Sequence, residues 1–462
     1  MGQEENKWIS RRTFLKQLGV IGSSAGFSAC GHGQAGQETL SGQMTYRTDP
    51  KTGRQVSLLG YGCMRWPSAT SPQKDGCPID QLAVNDLIDY ALARGVNYFD
   101  TAPVYGRGWS ETVTGKALKR HPREKFFIAT KMSGASDLSR DNMMAMYHRS
   151  FRNLQVDYID FYLLHAIGGG GMELFNKRFI QNGMLDFLIE ERSRGRIRHL
   201  GWSFHGDIEV FNRVLEMHDR IHWDFVQIQL NYVDWRHASA YNADWQKAMG
   251  DDTNAEYLYE ELAERDIPVV VMEPLLGGRL ASVTQNVLAQ MKQKRQEDSA
   301  AAWAFRFAGS FPKVLTVLSG MTYKEHLDDN LRTFSPLVPL SDEESKFLEN
   351  VAESMKDSQN IPCTDCKYCM TCPYGIDIPG IFLHYNKCVN HGNISKSSLD
   401  VNYEKARRAF LIGYDRSVPK LRQADHCIGC GQCISRCPQG ISIPLQMRRI
   451  DDYVEKLRQR KS

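Results

Sequence analysis

The sequence of 462 residues has almost no net charge and no long hydrophobic run. Its 57 Lys and Arg residues nearly balance 54 Asp and Glu residues, which leaves a formal charge of +3. Such a balance gives no support for a nucleic-acid or membrane-surface role. The apolar stretch at residues 18–29 is shorter than the ~20 residues that a spanning helix needs. We therefore expect no nucleic-acid partner and no transmembrane segment.

The sequence also lacks a convincing dinucleotide fingerprint. Residues 31–36 match G-x-G-x-x-G, but the fingerprint has to join a strand to a helix within a βαβ unit. This stretch lies instead in a segment rich in Gly, Gln and Ser, so we discard the match. No six-strand nucleotide-binding fold is visible, nor is a flavin motif.

The amino terminus has the layout of a targeting signal. Residues 10–16 read Ser-Arg-Arg-Thr-Phe-Leu-Lys and precede a weakly apolar run and small residues, as in a signal peptide. The paired arginines resemble the bacterial twin-arginine signal. We expect residues 1–30 to be this signal, residues 31–44 a linker, and the protein to be exported, periplasmic or membrane-anchored on the outer side of the inner membrane. A lipid anchor at Cys30 and a plain basic tail are the alternatives.

From residue 55 onward, short β-branched and aromatic runs alternate with longer amphipathic segments. The predicted strands are residues 56–62, 97–101, 126–131, 158–165, 199–204, 225–230, 267–272 and 314–319. The predicted helices are residues 81–94, 111–119, 139–153, 185–194, 208–217, 256–265 and 324–332. Apolar strands with helical crossovers indicate a parallel sheet buried on both faces. Eight such units predict an α/β fold, a (β/α)8 TIM-type barrel at residues 45–335, in preference to a doubly wound sheet.

Polar residues end three consecutive predicted strands, where such a barrel places its chemistry. Asp100 ends the second strand and Tyr105 follows it, while Lys131 and His165 end the third and fourth. Each residue alone also fits an ordinary cap, loop or core position. Together they suit carbonyl reduction, in which a tyrosine donates a proton if a cation lowers its pKa from ~10. We expect Lys131 to be that cation, Asp100 to hold it, and His165 to polarise the carbonyl.

Residues 97–106, Asn-Tyr-Phe-Asp-Thr-Ala-Pro-Val-Tyr-Gly, resemble the aldo/keto reductase signature, as do residues 54–66. The resemblance covers the whole predicted barrel. It implies reversible, NAD(P)H-dependent reduction of an aldehyde or ketone to an alcohol. It also makes Tyr105 the general acid of a tetrad with Asp100, Lys131 and His165.

The same resemblance implies NADPH or NADH extended over the barrel rim without a Rossmann motif. The implied contacts are Ser203, Gln227 and Met272 near the nicotinamide, Pro274, Leu275, Gly277, Gly278, Arg279 and Leu280 around the pyrophosphate, and Ser319, Gly320, Lys324, His326 and Asn330 on the adenosine side. Met272 stands where many relatives carry a stacking tyrosine, and Phe204 where many carry an amide. His326 replaces a common Arg or Gln, so the choice between NADPH and NADH stays open.

Nine of the 12 cysteines lie after residue 360, and eight of these form two runs. The runs are Cys363-x2-Cys366-x2-Cys369-x2-Cys372-Pro and Cys427-x2-Cys430-x2-Cys433-x3-Cys437-Pro. Such runs wrap [4Fe–4S] clusters, and the last cysteine of each usually binds the other cluster. We expect one cluster on Cys363, Cys366, Cys369 and Cys437, and a second on Cys427, Cys430, Cys433 and Cys372. Paired zinc sites are the alternative.

We thus predict a small α-rich, ferredoxin-like domain for two [4Fe–4S] clusters at residues 361–445, between a linker helix at 336–360 and a C-terminal helix at 446–462. Aldo/keto reductases with this domain and a twin-arginine signal form a bacterial subgroup that the chain resembles end to end. We expect a small carbonyl or alcohol substrate and a redox partner protein that exchanges electrons with the clusters. The alternatives are an electron-transfer protein with the barrel as scaffold, or an enzyme whose clusters are purely structural.

Overall fold

The computed structural model describes residues 43–71, 75–237, 254–356, 360–370, 372–395, 397–437 and 439–459. The predicted signal and Cys30 therefore lie outside the described residues, as does most of the predicted linker. Among the residues that are described, no helix is long and apolar enough to cross a membrane.

Eight parallel strands form a closed barrel, which confirms the predicted fold class. The order around the barrel is β10-β3-β4-β5-β6-β7-β8-β9. The strands are β3 Leu59–Gly62, β4 Tyr98–Asp100, β5 Phe127–Met132, β6 Ile159–Ile167, β7 Ile197–Phe204, β8 Phe225–Gln229, β9 Val269–Met272 and β10 Val314–Ser319. In-register pairs such as Asp100 with Ala129 and Lys131 with Leu163 align the carboxyl ends of β4, β5 and β6 at one rim.

The predicted first strand is in fact two elements. An antiparallel hairpin, β1 Tyr46–Thr48 and β2 Gln55–Ser57, precedes the barrel strand β3. Leu58 lies at the junction, because its N–H donates to Thr45 of the hairpin while its C=O accepts from Val317 of β10. The chain thus changes partners within one residue, and no glycine or proline adjoins Leu58 in the sequence to mark the change.

Helices alternate with the strands and continue into the carboxyl-terminal part. They are α1 Gln81–Ala93, α2 Ser110–Leu118, α3 Arg140–Leu154, α4 Gly171–Phe175, α5 Met184–Ser193, α6 Ile208–Glu216, α7 His218–Ile221, α8 Asp234–His237, α9 Ala255–Glu264, α10 Gln285–Lys294, α11 Ala300–Gly309, α12 Lys324–Phe334, α13 Asp342–Lys356, α14 Ile378–Asn390, α15 Tyr403–Ser417 and α16 Ile443–Arg458. Several begin with an oxygen-bearing side chain that accepts from a first-turn N–H, as Asp80 does for α1 and Ser139 for α3. Such caps satisfy donors that have no partner inside the helix.

The barrel interior is filled by side chains rather than open. Buried residues that include Tyr98, Phe127, Phe161 and Phe225 form a separate apolar cluster there. Burying an aromatic side chain of this kind contributes roughly 2–3 kcal/mol. Because the interior is filled, a small molecule can bind only at the rim of the barrel, where the predicted tetrad lies.

The cysteine-rich part has an apolar core of its own. Helices α14, α15 and α16 supply most of it, for example Phe382, Phe410 and Met447. Helix α16 begins at Ile443 rather than residue 446, with Pro444 in its first turn. Helix α13, in the predicted linker, instead buries Leu348 and Val351 in the core of the barrel.

Candidate active site

Asp100 and Lys131 form a buried ion pair at the rim. Lys131 Nζ donates to Asp100 Oδ1 at 2.5 Å and to the carbonyl of Thr101 at 2.9 Å. The side chains are only 1% and 3% exposed. Two of the lysine's three donors are thereby fixed by neighbours on β4 and just beyond it, so the position of the ammonium group is set by the backbone of the rim.

Tyr105 lies beside this pair. It begins a tight turn, Tyr105–Gly108, in which Gly106 and Arg107 have φ values of 56° and 57°. Lys131 Nζ is 5.2 Å from the centroid of the tyrosine ring. The turn therefore brings the phenol back over the strand end that carries the lysine.

The expectation that Lys131 lowers the pKa of Tyr105 is wrong for this structure. Burial raises the pKa of Tyr105 well above its ordinary value, and Tyr368 and Asp100 act in the same direction. The ammonium group of Lys131 forms its ion pair with Asp100 instead. The phenol consequently stays protonated at neutral pH, which is the form that a proton donor must have.

His165 completes the group, with its ring centroid 6.0 Å from that of Tyr105 and the two rings nearly perpendicular. Its Nδ1 lies 2.7 Å from Ser133 Oγ. Burial, followed by the charge of Lys131 and the nearby His205, holds the pKa of His165 well below its usual range. The imidazole is therefore neutral, and when Ser133 donates to Nδ1 the ring proton is on Nε2.

The residues expected near a nicotinamide lie at neighbouring strand ends. Ser203 on β7, Gln227 on β8 and Met272 on β9 are all buried. Ser203 Oγ accepts from the N–H of Ala166 at 2.9 Å. Gln227 Oε1 is buried with no hydrogen-bond partner among the described residues. An unpaired buried acceptor fits the amide of a nicotinamide, since such an atom costs free energy until it is paired.

The loop expected to hold a pyrophosphate follows β9 directly. It contains Pro274, Leu275, Gly277, Gly278, Arg279 and Leu280, and it turns through positive φ at both glycines. The N–H of Gly277 donates to Glu273 Oε2 at 2.6 Å. A Cβ placed on Gly277 would lie 2.2 Å from the Cα of Thr364, in the first cysteine run. The cysteine-rich part thus packs directly on this loop.

The adenosine-side residues divide into two groups. Asn330 Nδ2 donates to Ser319 Oγ at 2.9 Å, and both side chains are buried. Gly320 lies against the side chain of Arg65. Lys324 and His326 are exposed, with Lys324 Nζ over the ring of Tyr90. The structure therefore brings the strand-end residues together and leaves the two basic ones at the surface.

The first predicted cluster set lines one pocket. Cys363, Cys366, Cys369 and Cys437 surround it together with apolar residues such as Phe382. Burial raises the pKa of Cys363 to about 12 and that of Cys366 to about 11. Cysteines bind iron as thiolates, so formation of a cluster here would release protons. Four thiols around one mostly apolar pocket fit an iron–sulfur cluster.

The second predicted set also groups together. Cys427, Cys372 and Cys430 all lie within electrostatic reach of Cys433, whose pKa is raised to about 11, chiefly by burial. Cys430 is exposed, unlike its counterparts in the first set. The three cysteines without a predicted partner, Cys63, Cys77 and Cys388, are all buried.

Four residues at this site escaped the sequence analysis. Ser133 could have been found, because it lies two positions after Lys131 and so shares its face of the strand. Arg65, Tyr368 and Thr364 reach the rim from distant parts of the chain, and no local pattern signals them.

Two family models match the chain. A model of the aldo/keto reductase family matches residues 58–353, and a model described as a 4Fe-4S dicluster domain matches residues 362–441. L-galactose dehydrogenase of Arabidopsis thaliana is 24% identical over 328 residues, which are 66% of this chain and 93% of that protein. Probable aldo-keto reductase 1 of Glycine max is 37% identical over 159 residues, 33% of this chain, and the chain spans only 42% of its length.

Solved structures share the barrel. Aldo-keto reductase AKR11C1 from Bacillus halodurans is 23% identical with a TM-score of 0.51, over 67% of this chain and 96% of that one. The thermostable aldo-keto reductase Tm1743 is 24% identical with a TM-score of 0.52, over 67% of this chain and all of that one, 100%. At these identities the likeness is one of fold.

Proposed function

The chain belongs to the aldo/keto reductase family and carries a 4Fe-4S dicluster domain, and we propose that it reversibly reduces an aldehyde or ketone to an alcohol with NADPH or NADH. That it is an oxidoreductase follows from the family. The observation that carries the finer proposal is the convergence of Tyr105, the Asp100–Lys131 pair and His165 at one rim of the barrel.

Each member of this group has a part in the proposed reaction. Tyr105 donates its phenolic proton to the carbonyl oxygen. Lys131, held by Asp100, lies with its ammonium group 5.2 Å from the centroid of the tyrosine ring. Neutral His165 donates a hydrogen bond from Nε2 to the same oxygen, provided that Ser133 donates to Nδ1. NAD(P)H, when bound, supplies the hydride.

The barrel residues fit a nicotinamide at this position. The unpaired Gln227 Oε1 suits the carboxamide N–H, and Ser203 and Met272 lie at the two adjoining strand ends. Exposed Lys324 is a candidate partner for a 2′-phosphate, and such a contact would favour NADPH over NADH.

We further propose two [4Fe–4S] clusters, on the two cysteine sets defined above, that exchange electrons with a redox partner protein. The two groups of cysteines support two sites, and the match to a 4Fe-4S dicluster model favours iron–sulfur clusters over paired zinc. Export by the twin-arginine route, with or without a lipid on Cys30, remains a proposal that rests on the sequence of residues 10–30.

The test compares Tyr105→Phe with Tyr98→Phe in the purified, cluster-loaded protein. Tyr98 lies on β4, and its hydroxyl is buried without a partner among the described residues. We expect Tyr105→Phe to lower the turnover number for carbonyl reduction by roughly 10²–10⁴-fold, with the visible absorption of the clusters unchanged. Near-normal turnover in Tyr105→Phe would refute the role of Tyr105 as proton donor. A wild-type protein that reduces no carbonyl while its clusters still exchange electrons would favour the electron-transfer alternative.

A further inference from the structure

The first cysteine run covers the barrel rim between the loops that follow β9 and β10. On one side, Thr364 lies against Gly277 so closely that no side chain fits between them. On the other side, Arg65 contacts Gly320 through its aliphatic stem. Arg65 also joins the two sides, because its Nη1 lies 3.0 Å from Asp365 Oδ2 and its Nη2 donates to the carbonyl of Thr364.

This span is the one that an extended dinucleotide would have to cross. In the proposed arrangement the pyrophosphate lies over Gly277 and the adenosine beyond Gly320. Here the same span is filled by Arg65, Thr364 and Asp365, and Thr364 is only 2% exposed. A pyrophosphate and this segment cannot occupy it together, because protein atoms already pack there at van der Waals distance.

The charges and donors of the rim are already in use as well. The guanidinium of Arg65, which a pyrophosphate would attract, is paired with the carboxylate of Asp365. The N–H of Gly277, which could hold a phosphate oxygen, donates to Glu273. Asp365 thus places a carboxylate where the dinucleotide would place its negative charge.

We propose that residues 363–369 act as a built-in competitor of the dinucleotide, and that the Arg65–Asp365 pair holds this segment in place. The proposal rests on the function proposed above and adds its regulation. NADPH or NADH then binds only to the fraction of molecules in which the segment has left the rim, so the apparent dissociation constant exceeds the intrinsic one by the ratio of all molecules to open molecules.

The test removes the negative charge with Asp365→Asn. Asp365 has φ of 51°, a left-handed conformation that asparagine adopts readily. The matched control is Asp425→Asn, an exposed aspartate beside the second cysteine run. The pair is partly exposed, with 29% and 27% of the two side chains accessible. Loss of the Arg65–Asp365 pair should therefore tighten binding of NADP⁺ by about two- to five-fold, equivalent to ~0.4–1 kcal/mol. Asp425→Asn should bind NADP⁺ like the wild type. Iron content and visible absorption verify that both variants carry their clusters.

Hydrogen exchange provides the second measurement, on the wild-type holoprotein. Saturating NADP⁺ should raise amide exchange in residues 361–370, because the segment leaves the rim. Equal affinities of the two variants, or exchange that stays constant or falls when NADP⁺ binds, would refute the competition and leave the proposed function standing. If neither the wild type nor Asp365→Asn binds NADP⁺ or NAD⁺ at millimolar concentration, the nicotinamide dependence fails together with the competition.

Discussion

Replacing Lys131 by methionine should destabilise the barrel as well as abolish activity. The substitution keeps the length of the side chain but strands the carboxylate of Asp100, whose side chain is 3% exposed. Asp100 Oδ2 already lacks a partner among the described residues, so Lys131 supplies the compensation through Oδ1 at 2.5 Å. Removing one partner of a buried ion pair costs about 3–5 kcal/mol. That is a large part of a typical free energy of unfolding, about 5–15 kcal/mol.

The size of this effect should depend on pH. Burial raises the pKa of Asp100 even with Lys131 present, and without the cation it rises further. A carboxyl whose folded pKa is raised stabilises the fold below its unfolded pKa, ~3.9, and this contribution is lost as the pH rises through the folded pKa. The penalty for Lys131→Met should therefore be larger at pH 8 than at pH 5.

The assay is denaturant unfolding followed by the fluorescence of the buried Trp202 and Trp303, with turnover measured in parallel. The double variant Lys131→Met/Asp100→Leu removes both charges and should recover most of the lost stability without recovering turnover. An unchanged unfolding midpoint for Lys131→Met, or a double variant no more stable than the single one, would contradict the buried-pair reasoning.

Three further measurements address other parts of the molecule. Gly201→Ala should lower the free energy of unfolding by about 1–3 kcal/mol or more, because its Cβ would lie 2.2 Å from the carbonyl oxygen of Phe225; an unaltered denaturation midpoint would contradict this. Burial lowers the pKa of His205 to about 4, so stability should fall as the pH drops from ~6.5 towards 4, and His205→Gln should flatten that part of the profile. Cys366→Ser and Cys430→Ser should each remove about four iron atoms per chain; a loss of about one metal ion would indicate zinc sites instead.

The barrel was predictable because its signals are local. Each strand is a short run of β-branched and aromatic residues between turn residues, and Asp100, Lys131 and His165 lie at or near the carboxyl ends of such runs, so the topology carries them to one rim. Spacing likewise groups the cysteines, since C-x2-C fixes which thiols can share a cluster. The split of the first strand at Leu58 was missed because no glycine or proline adjoins that residue in the sequence.

The packing of the first cysteine run over the barrel rim could not be predicted from the sequence. Arg65 and Asp365 are 300 positions apart, and neither carries a pattern that marks a partner. The pKa of Tyr105 could not be predicted for the same reason. The direction of its shift depends on burial and on Tyr368, which belongs to the carboxyl-terminal part. Sequence spacing identifies groups within one element or motif, whereas packing between distant segments decides their electrostatic surroundings.

The cluster ligands and the cover of the rim belong to one short loop. Cys363 and Cys366 are expected to bind the same cluster, and of the two residues between them Asp365 takes a left-handed conformation with φ of 51°. Those two residues, Thr364 and Asp365, are the ones that touch Gly277 and Arg65. In the proposed arrangement the loop of residues 363–366 serves both the first cluster and the contact with the barrel. We therefore expect a change that removes the cluster also to weaken the contacts of Thr364 with Gly277 and of Asp365 with Arg65.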